Sequence, residues 1–504
     1  MKSAAPPLRR PEEIELKLAL PASDRVLLEK TLMRTPALAR RQAGRQSLHN
    51  IYYDTPDQIL HREKVALRLR RVGSDVNTSW LQTLKTGGRG DSALSQRGEW
   101  ESAVPGTGID LPALQATPWP GIDPDGAIFS ALAPCFVTSF DRTRWTVRKR
   151  DGSMVEVSLD IGQIRVGDRQ TPICELELEL LAGPPAALFA LARQLATTIA
   201  LLPENRSKAE RGYSLAQDSM GLPLHARPPG MEAGLPLTVA AQCVLREMFC
   251  QFTSNLNTLR TSDDAEVVHQ ARVGWRRFKS ACRLFRPILK LDAMPSWDPL
   301  ATLMAFMGEL RDLDVARTET LPRYADAYVA GKASREKKWQ AMDQALMQAA
   351  NVQRKATRHA LAVPAVGAGL LAITQWLEEL PDTPPQGETR QTLKLPLPRW
   401  ARQRVSRLRK QLKRALQVAG TQETQHRVRI LAKRLRYGIE ALQPLLPRRR
   451  AKRWHRKAIE LQTAIGMARD VVQASLLIEK LEVDNELVEF LRGIAIGQNQ
   501  SRRY

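Results

Sequence analysis

Glu13, Glu15 and Lys17 alternate along the segment EIELKLAL, and charged residues alternate again in five later segments. These are ALRLRRV (Arg68, Arg70), RGEWESAV (Arg97), RTRWTVRKR (Arg142, Arg144), MVEVSLDIGQI (Asp160) and ICELELELL (Glu175, Glu177, Glu179). Clustered carboxylates suit a hard divalent cation, which prefers oxygen ligands. Arginine and lysine suit phosphate oxygens. A chain of phosphates bridged by metal would satisfy both sets at once. The chemistry implied is the binding of a phosphate chain through its oxygens and a bridging metal. No Ser-His-Asp arrangement and no GxxxxGK[ST] loop is present. LKTGGRGDS (84–92) is glycine-rich but lacks that spacing, and reads as a mobile loop.

A second set of bases sits at helical rather than strand spacing. His269, Arg272, Arg276 and Lys279 follow i, i+3, i+7, i+10, which is one stripe of a helix. His426, Arg429, Lys433 and Arg436 repeat that stripe, with Arg277 and Arg434 beside it. VHQARVGWRRFKSACRLF (268–285) aligns with QHRVRILAKRLRYGIEAL (425–442), and LRDLDVA (310–316) with ARDVVQA (468–474). The offsets are 157 and 158 residues, which predicts two similar helical units. Two histidines at equivalent places, in line with bases, point to an anion site.

The elements that position these groups follow from period. Residues 11–215 are rich in period-2 segments, the signal of strands, with helices at 22–34 and 184–200. Each strand then has one strongly charged face. An antiparallel sheet with one wet face is one reading. The other is a closed barrel with a charged interior, its apolar outside covered by helices. Three glutamates on one face of ELELEL favour the barrel, because exposed like charges repel. Residues 216–236 mix Gly and Pro without period and read as a linker. Residues 237–500 read as long amphipathic helices, split by a Pro/Gly-rich break at 380–398.

Composition narrows the class. The 504 residues are 43% hydrophobic and 26% charged, which excludes a disordered or collagen-like chain. No apolar run is long enough to span a bilayer, and MKSAAPPLRRPEEIE lacks a signal core, so a cytoplasmic protein is expected. Five cysteines without CxxC or zinc spacing read as reduced thiols. The net charge is +23, divided as 29 bases against 25 acids before residue 216 and 47 against 28 after it. The second half therefore seeks a polyanion. Aromatic content of 5% argues against single-stranded nucleic acid, which needs stacking platforms.

EIELK (13–17), YYDTPD (52–57), ALRLRR (66–71), QTLK (82–85), RGEWE (97–101), SLDIG (158–162), ELELEL (175–180) and RSKAERGY (206–213) together resemble the CYTH superfamily of triphosphate tunnel metalloenzymes. HxxRVxxRR (269–277), LRDLDV (310–315), HRVRILAKRLRY (426–437) and ARD (468–470) resemble the CHAD domain. The resemblance implies a two-domain α+β protein. An eight-stranded antiparallel β tunnel with flanking helices would occupy residues 1–215. A pair of pseudo-symmetric four-helix bundles would occupy 237–500. By the motifs, Glu13, Glu15, Asp160, Glu175 and Glu177 are the expected metal ligands, for Mg²⁺ or Mn²⁺. Lys17, Arg68, Arg70, Lys85, Arg97, Arg142, Arg144 and Lys208 are the expected phosphate contacts. Glu13, Glu15, Lys17 and Asp160 are expected to be catalytic. The resemblance further makes His269, Arg272, Arg276, Arg277, Lys279, His426, Arg429, Lys433, Arg434 and Arg436 polyphosphate contacts, with Asp312 and Asp470 as structural partners of nearby arginines. The domain pairing resembles bacterial CYTH–CHAD inorganic triphosphatases. It implies hydrolysis of inorganic triphosphate and docking on polyphosphate granules; no membrane insertion is expected, and the low aromatic content argues against nucleic acid as the partner. A non-catalytic polyphosphate-binding protein and an organic triphosphatase, for example for thiamine triphosphate, are the alternatives.

Overall fold

The computed structural model describes residues 12–21, 25–72, 79–88, 92–289, 293–380, 395–418, 421–483 and 485–500. The start of the helix expected at 22–34, the tip of the 84–92 loop and most of the 380–398 break lie outside them. The chain forms two compact units, Met1–Leu222 with Ala362–Gln375, and Pro223–Leu361 with Trp376–Tyr504.

The first unit is a closed antiparallel barrel. Its strands are β1 (Glu12–Ala19), β2 (Gly44–Asp54), β3 (Ala66–Val72), β4 (Ser79–Lys85), β5 (Leu94–Val104), β6 (Ala133–Arg148), β7 (Met154–Val166) and β8 (Arg169–Ala182). They run in the order β5-β4-β3-β2-β6-β7-β8-β1, and β1 pairs with β5 to close the ring. Closure removes every long exposed edge. Three helices matter to the site: α1 (Arg25–Arg34), α2 (Ala186–Leu195) and α3 (Lys208–Ala216).

Alternation decides which side each residue takes. Leu16, Leu18, Val155, Val157, Leu176 and Leu178 point outward and are buried under Leu28, Leu32, Leu188, Leu191 and Leu195 of α1 and α2. Leu371, from the later segment of this unit, joins the same core. The charged residues between them have only the interior left. At Gly212 in α3 a methyl group would run into the Phe136 ring, so glycine lets the helix settle against β6.

The second unit is all helical. Its main helices are α4 (Leu237–Leu259), α5 (Ala265–Phe285), α6 (Ala301–Val315), α7 (Ala333–Leu361), α8 (Leu397–Gln417), α9 (Gln422–Leu442), α10 (Arg448–Lys480) and α11 (Asn485–Gln500). Neighbours in sequence pack as α4–α5, α6–α7, α8–α9 and α10–α11, and the two repeats meet through α5–α9 and α6–α10. Asp264 caps α5 and Thr421 caps α9, so the repeat spacing extends to the helix starts. No single helix among the described residues is long and apolar enough to cross a membrane.

Candidate functional site

The barrel encloses a cavity of about 260 Å³ lined by eight bases and seven acids, with Ala66, Phe140 and Ala209 among its few apolar walls. β1 supplies Glu13, Glu15 and Lys17, and β3 supplies Arg68 and Arg70. Lys85, Arg97, Arg142, Arg144 and Glu177 line it as expected, and α3 closes one side with Lys208. Glu99, Glu101, Glu156 and Glu179 also line it. All fifteen charged residues belong to the alternating faces, except Lys208, which enters from the helix.

The bases are bonded to the acids in two groups. In the first, Lys85 Nζ lies 2.8 Å from Glu13 and 3.0 Å from Glu99, and Arg97 lies 3.1 Å from Glu13 and 2.5 Å from Glu15. Lys17 Nζ lies 2.9 Å from Glu15. Arg68 reaches Glu99 at 3.5 Å, and Arg70 donates to Asn50 Oδ1 at 2.9 Å. Burial and the nearby Arg68 and Arg142 pull the Arg70 guanidinium down to about 10, which leaves it charged at neutral pH. Arg144 stands 4.0 Å from Glu156 and is half exposed.

In the second group, Arg142 grips Asp160 through two bonds of 2.7 Å and reaches Glu177 at 2.6 Å. Lys208 Nζ lies 2.6 Å from Asp160 and 2.9 Å from Glu177, and also touches Glu175. Arg211 donates to Glu175 at 3.0 Å. Asp160, Glu175 and Glu177 can each offer an oxygen within 4.8 Å of the others, as a cation site requires. The lysine ammonium already touches all three. Asp160 and Glu175, 0% and 2% exposed, do not line the cavity. Lys208 is thus the ion-pair partner of a triad whose oxygens are also close enough together to hold a cation. Burial works against ionisation of Glu177, yet Lys208 and Arg142 hold its carboxyl well below the usual range.

Glu179 differs from the other acids. It lies opposite Glu15 across the β1–β8 ladder, and no lysine or arginine among the described residues comes within 4.0 Å of it. Burial and the neighbouring Glu13 and Glu156 push its carboxyl up to about 7. A half-buried carboxylate facing other carboxylates, which the nearby Lys85 offsets only in part, fits a cation held by oxygen. Glu13, Glu15, Asp160, Glu175 and Glu177 are the expected ligands; of these, Asp160, Glu175 and Glu177 have oxygens close enough together to hold a cation, and Glu179 stands opposite Glu15.

The YYDTPD motif explains how α3 is held. Asp54 Oδ1 accepts from the backbone of Thr55 and Leu60, and Oδ2 accepts from His61 N at 2.9 Å and the Tyr213 hydroxyl at 2.8 Å. Tyr213 also stacks on His61 with ring centroids 4.1 Å apart. Tyr213→Phe is expected to cost about 1 kcal/mol of stability, the usual net worth of one hydrogen bond. Because α3 carries Lys208, the KM for the cavity's ligand should rise severalfold with kcat little changed, as steady-state kinetics will show.

In the helical unit, the two stripes converge on one cluster. Lys433 is close enough to Arg429, Arg276 and Arg469 to feel their charges, and His269 and Arg272 feel Arg276 and Arg311. Arg311 and Arg469 are additions from the LRD and ARD motifs. Asp312 and Asp470 sit among these arginines, with burial raising both carboxyls. Arg277 is 1% exposed and faces Gln251 and Glu440 instead, and Arg436 donates to Glu440 at 2.8 Å. Arg434 feels Arg283, Lys279 lies 5.7 Å from the Trp275 ring centroid, and His426 is exposed.

Burial, Arg429 and Arg276 pull the Lys433 ammonium down to about 7. A bound polyanion would restore its ordinary value, so binding above pH 7 must take up a proton. Anion affinity should therefore be flat below pH 7 and fall by up to about tenfold per pH unit above it. Titration calorimetry with polyphosphate at pH 6.5 and 8.5 checks this, and Lys433→Arg should flatten the profile.

A CYTH-domain family model matches residues 11–213, and a CHAD-domain model matches residues 243–479. The chain is similar to an inorganic triphosphatase of Haemophilus influenzae, 34% identical over 205 residues, which is 40% of this chain and 55% of that protein. It thus spans about half the length of that relative. Among solved structures, it is similar to the CHAD domain from the plant Ricinus communis, at 26% identity and TM-score 0.46, covering 56% of this chain and 92% of that one. It is also similar to HpAC1 from Hippeastrum, a protein with a dominant triphosphatase activity, at 20% identity and TM-score 0.28, covering 40% and 95%.

Proposed function

Because this chain carries a CYTH domain over residues 11–213 followed by a CHAD domain over residues 243–479, we propose that its tunnel hydrolyses inorganic triphosphate to diphosphate and phosphate. The observation that carries this reading is the lining: eight bases and seven acids, against Tyr52, Phe140, Ala66 and Ala209 as its aromatic and apolar walls. Nucleobases and thiamine need an apolar or aromatic surface to rest on; a bare phosphate chain needs only charge.

The internal ion pairs hold the site in readiness. Phosphate oxygens would take over Lys17, Arg68, Arg70, Lys85, Arg97, Arg142 and Arg144 from their carboxylates. Glu13, Glu15, Asp160, Glu175 and Glu177, with Glu179 opposite Glu15, would hold the divalent cation, Mg²⁺ or Mn²⁺, which supplies charge neutralisation and lowers the pKa of water when bound. A polyanion and its cation thus enter together, and the tunnel's charge balance is little disturbed. Water attacks the terminal phosphorus, the bridging P–O bond breaks, and the diphosphate leaves against cationic side chains already in place. Lys208, which lines the cavity, would also contact phosphate, and its ion pairs with Asp160, Glu175 and Glu177 form a charged floor beside Arg142.

The helical unit would bind inorganic polyphosphate at the cluster of His269, Arg272, Arg276, Arg429 and Lys433, extended by Arg311 and Arg469. Working boundaries are 1–215 for the tunnel domain, 216–236 for the linker and 237–500 for the helical domain. The site of action would be the cytoplasm, at polyphosphate granules; the five cysteines, none of them in a disulfide, suit a reducing compartment. A substrate panel tests the reading. Inorganic triphosphate should exceed ATP, thiamine triphosphate and long-chain polyphosphate in kcat/KM by at least about tenfold. Equal or faster cleavage of thiamine triphosphate would replace the substrate. Tight polyphosphate binding with no cleavage of any of the four would make this a binding protein.

A further inference from the structure

The two repeats of the helical unit differ on one face. α8 carries eight bases and no acid, and the first ten residues of α10, RRRAKRWHRK, carry seven bases and no acid. The apolar stripe of α8, including Leu397, Trp400, Val405 and Leu412, is buried in the bundle. Its outer face, from Arg399 and Arg402 to Lys413 and Arg414, is exposed, and so are the α10 bases from Arg448 to Lys457. The two segments adjoin, since the Arg409 guanidinium lies 4.8 Å from the Trp454 ring centroid. Among these exposed bases only Arg456 has an ion pair, with Glu460 at 3.6 Å.

Folding does not require this charge. Bases three and four apart, such as Lys410 with Lys413 and Arg414, repel and weaken a helix. The 158-residue offset sets α8 against α4, which has one base, Arg246, and one acid, Glu247, and is mostly buried. It sets 448–457 against KLDAMPSWDP (290–299), with one base and two acids. The central cluster is present in both repeats; this face belongs to the second alone.

We infer that the outer face of α8 and the first turns of α10 form a docking surface for duplex nucleic acid, held by its phosphate backbone. The partner must be a polyanion, and the layout favours a wide one. With 21 residues, α8 is about 31 Å long, a length over which a duplex carries about 18 phosphates. Bases spread over two adjoining helices match the breadth of a duplex. Arginine predominates, and its planar fork suits phosphodiester oxygens. Single strands lack the aromatic platforms they need. A bilayer lacks an apolar face to receive, because the apolar stripe of α8 is buried.

The test uses the full chain and a labelled 20-base-pair DNA duplex, followed by fluorescence anisotropy over a range of salt. Wild type should bind in the micromolar range with a steep salt dependence. Arg402→Gln/Arg409→Gln/Lys413→Gln/Arg453→Gln should weaken binding at least about 30-fold and flatten the log–log salt slope by about 3 to 4. The same four positions as lysine should keep the slope, which separates lost charge from lost fold. Arg276→Gln/Lys433→Gln, in the central cluster, should leave duplex binding unchanged and weaken polyphosphate binding. The inference is overturned if the outer-face variant binds duplex as wild type does, or if the cluster variant is the one that loses it. It is equally overturned if phosphatidylglycerol vesicles or long-chain polyphosphate bind the outer face more tightly than the duplex does.

Discussion

Glu179→Gln is expected to leave the protein at least as stable as wild type at neutral pH, yet to slow phosphate release from triphosphate at least about 100-fold. The two effects have one cause. Burial and the adjacent Glu13 and Glu156 hold the carboxyl near 7, above its value in the unfolded chain. A carboxylate with a raised folded pKa binds its proton more tightly when folded, so it costs stability progressively as pH rises from about 4.5 to 7. The neutral amide lacks that cost. A side chain that destabilises the folded state, with no base among the described residues within 4.0 Å, is better explained by work than by structure. Urea denaturation at pH 5 and 7.5, with a phosphate-release assay, separates the effects. A less stable variant with unchanged activity would make Glu179 an ordinary structural residue.

Lys208→Met should have the opposite profile. Lys208 is 7% exposed and touches Asp160, Glu175 and Glu177, with its ammonium also 4.9 Å from the Phe140 ring centroid. Removing one partner from buried charges leaves the others uncompensated, at a cost of about 3–5 kcal/mol. Burial opposes the Lys208 charge, but the three acids raise its pKa above the usual lysine value. Its contribution is therefore fully present through neutral pH and is lost only as pH rises through the folded value. In the variant, the freed carboxylates have raised pKa values, so the deficit should shrink as pH falls towards 5. Lys208→Arg, which keeps a charge, should recover much of the loss. Equal stability of Lys208→Met and wild type at pH 7.5 would contradict the ion-pair floor.

Period-2 alternation was enough to place the tunnel's charges. It put Glu13, Glu15 and Lys17 on one face and Leu16 and Leu18 on the other, and the barrel keeps that division. It could not tell which acids are committed to bases. That depends on register between distant strands, such as Glu15 opposite Glu179, and on the reach of Lys208 into β7 and β8. Arg211 was within reach of the same reasoning, because it lies three residues beyond Lys208 on one helix face. In the helical half, a step of one residue is 100° around the helix. Arg276 therefore joins the cluster, while Arg277 turns inward to Glu440. Arg311 and Arg469 were visible as repeat partners, but their acidic neighbours Asp312 and Asp470 made them look committed.

The most direct test of the central claim is phosphate release from inorganic triphosphate by the full chain, with Mg²⁺, with Mn²⁺ and with chelator. The predicted result is one phosphate and one diphosphate per triphosphate consumed, abolished by chelator and restored by added metal. Release that ignores the metal, or no release from a chain that still binds polyphosphate tightly, would contradict the tunnel as a metal-assisted triphosphatase.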